Sequence, residues 1–180
     1  MRPDTPVRVV VLCHANVARS VVAAHLLRDA TDERGVALEI RTAGTHAAEG
    51  QSVSARTVTA LSKITGLPAS LGAHRAHQLS SADVEWADLV IAMEDSQVRF
   101  VRRAHPGSAG RVATLGVLAE ELSDDNLGLL ERIAALDLAA REGSGNGDIE
   151  DPAGGDDDAY ERATLALVAR CNELARRLVG

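Results

Sequence analysis

The chain has 180 residues, 46% of them hydrophobic, which is enough for one domain to bury a core without disulfide bridges. Its formal net charge of −7 argues against nucleic acid as a partner, and its three aromatic residues, Trp86, Phe100 and Tyr160, are too few for base-stacking platforms. The sequence contains no apolar segment long enough to span a membrane, so we expect no membrane partner.

The two cysteines, Cys13 and Cys171, stand near opposite ends of the sequence, and no His/Cys cluster has metal-ligand spacing. We therefore expect no metal ion, no cofactor and a reducing, cytoplasmic setting. The apolar run near the N-terminus is too short for a secretory signal, which agrees with that setting. No strongly apolar exposed face is evident in the pattern, so a monomer is expected.

The first half of the chain alternates between strand and helix patterns. Residues 7–12 are continuously apolar, as in a fully buried parallel strand. A helix is predicted over 18–34, with Gly35 as its stop, and a second strand over 36–43. A second helix follows over 54–65.

The second half continues the alternation. Ser80 or Ser81 predicts the cap of a short helix, and residues 88–93 predict a third strand. A helix capped by residue 95 or 96 runs to about 103, and residues 111–115 predict a fourth strand. This spacing predicts an α/β fold, an open four-stranded parallel sheet of the Rossmann-like type with helices on both faces.

Beyond the fourth strand the pattern is helical from 117 to 141, with an interruption at Gly128. Residues 142–148 are rich in glycine and predict a flexible linker inside one domain that spans 1–180. The final helix is predicted over 160–179. Its apolar stripe contains Leu167, Cys171, Leu174 and Leu178, which predicts that Cys171 is a core residue.

The most informative motif follows the first strand, where Cys13 precedes Arg19 and Ser20. The amides of residues 14–19 can converge on one point, at the positive end of the next helix dipole. The same environment favours a thiolate at Cys13. The alternative is a strand-end cysteine that acts only as a small hydrophobe. The motif predicts a nucleophile inside a phosphate cradle formed by His14, Ala15, Asn16, Val17, Ala18, Arg19 and Ser20.

A C-x5-R-S motif after a strand, together with Ile149-Glu150-Asp151-Pro152, resembles the low-molecular-weight protein tyrosine phosphatase family, over nearly the whole chain. The resemblance implies that Cys13 attacks phosphorus and becomes a phosphocysteine, and that Arg19 grips two phosphate oxygens. Ser20 would donate its hydroxyl proton to the sulfur. Asp151 would protonate the leaving oxygen and later activate water, although an Asp-Pro pair is more commonly only a turn.

The resemblance also implies supporting residues around the loop. Asn16 would hold the shape of the loop in a network with Thr42 and His74, and Glu94 stands where the family has an acidic residue. The chain departs from the family at Ala15, usually glycine, and at Ala18, often a second cysteine. The aromatic walls of the phosphotyrosine slot are replaced by Ala153, Gly154, His46 and Ala47, which predicts weaker selection for aryl esters.

The sequence thus predicts a cysteine-dependent phosphomonoester hydrolase, in the first place a protein-tyrosine phosphatase. Its expected partner is a phosphorylated protein or a small phosphoester. Val17 stands where members that act on phosphoarginine carry threonine, which favours phosphotyrosine. Two alternatives stay open. One is a pseudo-phosphatase that only binds phosphorylated ligands, and the other is a thioredoxin-coupled arsenate reductase, which needs further cysteines close to Cys13.

Overall fold

Four parallel strands form one sheet in the order β2-β1-β3-β4. The computed structural model describes residues 6–66 and 71–178 of the chain. The strands are β1 (Val7–Cys13), β2 (Leu38–Gly44), β3 (Leu89–Ala92) and β4 (Val112–Thr114). This order places β1 in the centre, where the direction of winding reverses, and the carboxyl end of such a strand is the usual ligand crevice of an open α/β sheet. Cys13 is the last residue of β1.

Seven α-helices surround the sheet within the described residues. They are α1 (Arg19–Asp32), α2 (Ala55–Thr65), α3 (Ser81–Trp86), α4 (Asp95–Ala104), α5 (Leu115–Glu121), α6 (Leu129–Ala135) and α7 (Asp157–Leu178). Short 3₁₀ helices cover Pro106–Arg111 and Leu138–Ala140. None of the helices in this part of the chain is both long enough and apolar enough to cross a membrane.

The side chains of β1 alternate between two cores, one on each face of the sheet. Val9, Val11 and Cys13 pack with apolar residues of α1, α5 and α7. Val10 and Leu12 pack on the other face, against α3 and α4. Because both faces are covered, every residue of the strand's second half is buried, which explains the continuous apolar run in the sequence.

The predicted architecture is confirmed, and the differences lie at the ends of elements. Ser80 caps α3 as predicted, since its hydroxyl accepts from Asp83 N at 3.3 Å while the Asp83 carboxylate accepts from Ser80 N at 2.9 Å. The last helix begins at Asp157 rather than at 160. The predicted helical stretch 117–141 is divided into α5, α6 and the second 3₁₀ helix, with an irregular stretch before Gly128. Residues 1–5, 67–70, 179 and 180 of the predicted domain lie outside the described residues.

The predicted linker 142–148 contains neither helix nor strand, yet hydrogen bonds join it to the start of α4. Gly145 N donates to Asp95 Oδ2 at 2.5 Å, and Asp95 N donates to Asp148 Oδ1 at 2.8 Å. Burial raises the pKa of Asp148, and the nearby carboxylate of Asp95 adds to this effect. The linker therefore leads the chain along α4 to the Asp151 segment.

Candidate active site

The thiol of Cys13 lies at the carboxyl end of the central strand, beside the first turn of α1. Its Sγ is 3.1 Å from Ser20 Oγ, and only 2% of the residue is exposed. The loop 14–18 joins the two elements. The predicted nucleophile and the predicted hydroxyl donor are thus in hydrogen-bond contact at the positive end of the α1 dipole.

The loop turns its carbonyl groups outward. The carbonyl oxygens of Cys13, His14, Asn16 and Val17 accept from Thr45 N (2.9 Å), His46 N (2.8 Å), His74 Nε2 (2.7 Å) and Ser54 N (2.8 Å), respectively. Within the described residues, no N–H of positions 14–18 donates a hydrogen bond. Since the carbonyl and the N–H of one peptide plane point in opposite directions, the free N–H groups face the inside of the loop. Such a concave set of amides is an anion cradle.

Asn16 holds the loop from inside the protein. It is fully buried and adopts the left-handed conformation, with φ 56°. Its Oδ1 accepts from His77 N at 2.9 Å, and its Nδ2 donates to Ser20 Oγ at 2.9 Å. Because an amide nitrogen only donates, the single proton of the Ser20 hydroxyl remains free for Cys13 Sγ. The Asn16 side chain therefore directs the Ser20 proton toward the sulfur.

The residues around Asn16 differ in part from the predicted network. His74 does contact Asn16, through the backbone carbonyl. Thr42 lies opposite Val11 in the sheet, and its hydroxyl makes no hydrogen bond to Asn16. The backbone N–H of His77 takes the place that was predicted for Thr42. Sequence reasoning missed His77, because a backbone donor carries no side-chain signal.

The ring of His77 is itself held between two carboxylates. Its Nε2 is 2.8 Å from Asp83 Oδ2 and its Nδ1 is 3.1 Å from Glu49 Oε1. Burial acts to raise the pKa of Asp83, but hydrogen bonds from Ser80 and His77 outweigh it, and the pKa lies below its usual value. These contacts fix the segment that supports Asn16.

Gly44, the last residue of β2, allows the phosphate loop to lie close to the sheet. A Cβ at this position would be 2.6 Å from the carbonyl oxygen of His14 and 3.0 Å from the carbonyl carbon of Ala15. Only a glycine permits this approach. Ala15 itself does not have a positive φ, so alanine is accommodated where the family usually has glycine.

The guanidinium of Arg19 is buried and held on one side by three groups. Its Nη1 donates to Ile149 O at 2.8 Å and lies 3.0 Å from Glu94 Oε2. Its Nη2 forms an ion pair with Asp151 Oδ2. Within the described residues, Nε and the second proton of Nη2 have no partner. These two donors are the pair that can bind two oxygens of one phosphate group.

Asp151 reaches the loop although it lies 132 residues after Arg19. Ile149 is buried in the core, and its N–H donates at 2.8 Å to the carbonyl oxygen of Met93, the residue that follows β3. The side chain of Asp151 remains about one-third exposed, at 32%. The structure thus brings the predicted acid to the mouth of the cradle, with one oxygen on Arg19 and the other accepting from Ala153 N at 3.1 Å.

A cleft of about 340 Å³ leads to the cradle. It is lined by His14, Thr45, His46, Glu94, Ser96, Gln97, Phe100 and Asp151. The rings of His14 and His46 are stacked, with centroids 4.7 Å apart, and Phe100 lies 5.7 Å from His46. The sequence predicted no flat wall here, and this expectation was incomplete. The expectation rested only on the positions where the family carries aromatic residues. It did not include His14 and Phe100, which form a wall together with His46.

Cys171 is a core residue, as predicted. It is fully buried in α7, and its Sγ lies 3.8 Å from the carbonyl oxygen of Ala23. Burial raises the pKa of this thiol far above its usual range. A buried, protonated thiol is a poor redox partner for Cys13, which argues against the arsenate reductase alternative. In residues 6–66 and 71–178, no three His, Cys, Asp or Glu side chains are grouped closely enough to hold a metal ion.

A cysteine thiol that leads into a loop of unpaired amides, with a buried arginine and an aspartate beside that loop, is the arrangement of a cysteine-based phosphatase. A family model for low molecular weight phosphotyrosine protein phosphatases matches residues 8–137. The chain belongs to this family.

Individual relatives agree with that assignment. A protein-arginine-phosphatase of Geobacillus stearothermophilus is 29% identical over 173 residues, covering 96% of this chain and 97% of the relative. The "Probable low molecular weight protein-tyrosine-phosphatase EpsP" of Ralstonia solanacearum is 32% identical over 117 residues, which cover 65% of this chain and 76% of the relative. Among solved structures, the YwlE arginine phosphatase from Geobacillus stearothermophilus superposes with a TM-score of 0.73 at 28% identity, over 96% of this chain and 93% of that one. The protein is a cysteine-based phosphatase.

Proposed function

We propose that the protein removes the phosphoryl group from phosphotyrosine in proteins, through a phosphocysteine at Cys13. The observation that carries the proposal is the set of N–H groups in the loop 14–18, which follow Cys13 directly and find no hydrogen-bond partner in the described part of the chain. They stabilise the dianionic phosphate on binding and the charge on its equatorial oxygens during transfer. The free edge of Arg19 binds two of these oxygens.

The reaction takes two displacements. In the first, the Cys13 thiolate forms a bond to phosphorus while the bond to the tyrosyl oxygen breaks, and Asp151 gives that oxygen its proton. In the second, a water molecule attacks the phosphocysteine and gives a proton to Asp151. The sulfur then leaves as the thiolate, which the Ser20 hydroxyl stabilises, and inorganic phosphate is released.

The walls of the cleft support an aryl ester as substrate. The stacked rings of His14 and His46, with Phe100 beside them, offer a flat face next to the cradle. A phosphorylated tyrosine ring can lie against this face while its phosphate reaches Cys13. An alkyl phosphate such as phosphoserine gains little from such a face.

Phosphoarginine is the second candidate substrate, because a relative that matches over almost its full length is a protein-arginine-phosphatase. We favour phosphotyrosine since Val17 offers no hydroxyl to the cleft. Hydrolysis of matched phosphotyrosine and phosphoarginine peptides distinguishes the two. We expect kcat/KM to be higher for phosphotyrosine, and Val17→Thr to shift the ratio toward phosphoarginine. A wild-type preference for phosphoarginine would contradict this choice.

The assigned roles are tested with two aryl phosphates that differ in leaving group. We expect Cys13→Ser to abolish turnover of p-nitrophenyl phosphate without added metal. Asp151→Asn should lower kcat/KM, which reports the first displacement, by about 10²–10⁴-fold, and more for phenyl phosphate, whose poorer leaving group needs the proton more. Asp158→Asn, the same change at an exposed position of α7, is the control. Equal losses on both esters would remove Asp151 from the acid role, and a fully active Cys13→Ser would overturn the mechanism.

A further inference from the structure

A buried amide at the start of α4 links the turn after β3 to the phosphate-gripping arginine. Gln97 is 3% exposed. Its Oε1 accepts from Met93 N at 2.8 Å and from Glu94 N at 3.2 Å, and its Nε2 donates to Glu94 Oε2 at 2.8 Å. The same Glu94 oxygen lies 3.0 Å from Arg19 Nη1. One side chain thus fixes both the backbone of the turn and the carboxylate that holds Arg19.

The orientation of Glu94 depends on this contact. A glutamate side chain has three rotatable bonds, and the ion pair with Arg19 is then the other contact that keeps it from turning into the cleft that it lines. The hydrogen bond from Gln97 Nε2 holds the carboxylate against Arg19 Nη1. Because Nη1 is then engaged, the opposite edge of the Arg19 guanidinium faces the cradle. A bidentate grip on phosphate requires that orientation.

The turn that Gln97 fixes also supports the acid. Met93 N donates to the Gln97 side chain, while Met93 O accepts from Ile149 N at 2.8 Å, two residues before Asp151. The backbone of Met93 therefore lies between Gln97 and the Asp151 segment. A disturbed turn would displace both of the groups that face Cys13 from this side of the cleft.

We propose that Gln97 is a positioning residue of the phosphatase site, which orients Arg19 through Glu94 and supports the Asp151 segment through Met93. The proposal rests on the proposed function, because it concerns the same reaction. It assigns Gln97 no contact with the substrate. Its amide acts as a donor toward one carboxylate and an acceptor for two backbone N–H groups, a combination that neither a carboxylate nor an apolar side chain reproduces.

Gln97→Glu tests the proposal through its dependence on pH. The variant keeps the acceptor and the shape, but at pH 8 it places a second carboxylate against Glu94, which repels it. At pH 5 the two carboxyl groups can share a proton, and the shared proton restores the lost hydrogen bond. Among the described residues, the other charged or titratable side chains that line this cleft or act on Glu94 are Arg19, Asp148, Asp151, His14 and His46. They are present in both proteins, so the ratio of wild-type to variant activity at each pH isolates position 97.

For Gln97→Glu we expect kcat/KM on p-nitrophenyl phosphate to be about 10- to 100-fold below wild type at pH 8, the effect of one hydrogen bond to a charged group. At pH 5 the deficit should shrink to about threefold or less. The inhibition constant for inorganic phosphate, relative to wild type, should rise and recover in the same way. The exposed Gln51→Glu, which adds the same charge, should follow wild type at every pH.

A pH-independent deficit, or activity equal to wild type at pH 8, would overturn the positioning role of Gln97 while leaving the phosphatase function intact. An inactive wild type would instead refute the proposed function itself. If Gln97→Glu does not fold, as judged by circular dichroism, Gln97→Met decides the matter. It keeps the volume without the hydrogen bonds, so we expect a loss of at least about tenfold at all pH values. Wild-type activity in a folded Gln97→Met would refute the proposal.

Discussion

The direction of one hydrogen bond decides how Ser20 acts, and exchanging Asn16 for aspartate reverses it. In the structure, Asn16 Nδ2 donates to Ser20 Oγ at 2.9 Å, and the Ser20 proton is left for Cys13 Sγ, 3.1 Å away. An aspartate at this position can only accept when ionised. It therefore draws the Ser20 proton to itself, and the sulfur loses its donor although every heavy atom stays in place.

The size of the effect follows from the loss of that donor. A hydrogen bond to a charged group contributes about 1.5–3 kcal/mol, which corresponds to about 10- to 150-fold in rate. We expect Asn16→Asp to lower kcat/KM by about this factor. Ser20→Ala removes the same donor and should have a similar effect. Since both changes remove one interaction, their effects should not add.

A double-mutant cycle on p-nitrophenyl phosphate measures this coupling. The four proteins are wild type, Asn16→Asp, Ser20→Ala and the double variant, each checked for folding by circular dichroism. We expect Ser20→Ala to cost about 10- to 150-fold in the wild-type background and less than about threefold in the Asn16→Asp background. An equal cost of Ser20→Ala in both backgrounds would show that Asn16 does not direct the Ser20 proton.

Three further changes test the scaffold. Gly44→Ala should lower the free energy of unfolding by about 1–3 kcal/mol and should also lower kcat/KM, because its Cβ would lie 2.6 Å from a carbonyl oxygen of the phosphate loop. The control is Gly107→Ala, whose Cβ would meet no atom within 4 Å and which should leave kcat/KM unchanged in the same assay. Arg132 is buried and donates to three carbonyl oxygens, two of them at the C-terminal end of α7. Arg132→Met should therefore lower the melting temperature measured by calorimetry by about 5–10 °C. An unchanged melting temperature would contradict this role of Arg132. The hydrogen bond from Arg8 lowers the pKa of Asp88. This carboxylate therefore stabilises the fold at pH values above its pKa in the unfolded chain, and the stabilisation is lost as the pH falls through the lowered pKa. In urea unfolding, Asp88→Asn should be less stable than wild type at pH 7, and the difference in unfolding free energy should close below about pH 4.

Much of the framework was predictable because it depends on short-range patterns. A continuous apolar run needs burial on both faces, and so the buried central strand could be predicted from residues 7–12. In the loop after it, the predicted thiol, arginine and hydroxyl all lie within one short stretch of sequence, residues 13–20. The capping box at Ser80 is equally local. These features depend on the chain's own neighbouring residues, and the structure has them where the pattern placed them.

The contacts that complete the site are long-range and have no local signal. His77 contributes a backbone N–H to Asn16, and no side-chain motif indicates such a donor. The wall of the cleft joins His14, His46 and Phe100 from three separate segments. Thr42, selected by resemblance, stays within the sheet and does not contact Asn16.

The sequence alone predicted the succession of strands and helices along the chain, and it indicated Cys13 and Arg19 as the candidate nucleophile and phosphate-binding arginine, because periodicity and a contiguous motif encode them. Only the tertiary structure decided which groups surround that motif: that Glu94 and Asp151 share Arg19, and that Gln97 holds Glu94 in place. The physical reason is that parallel strands gather their carboxyl ends at one edge of the sheet. Residues distant in the chain become neighbours there, and side-chain packing and hydrogen bonding then select among the polar groups that the fold has brought within reach.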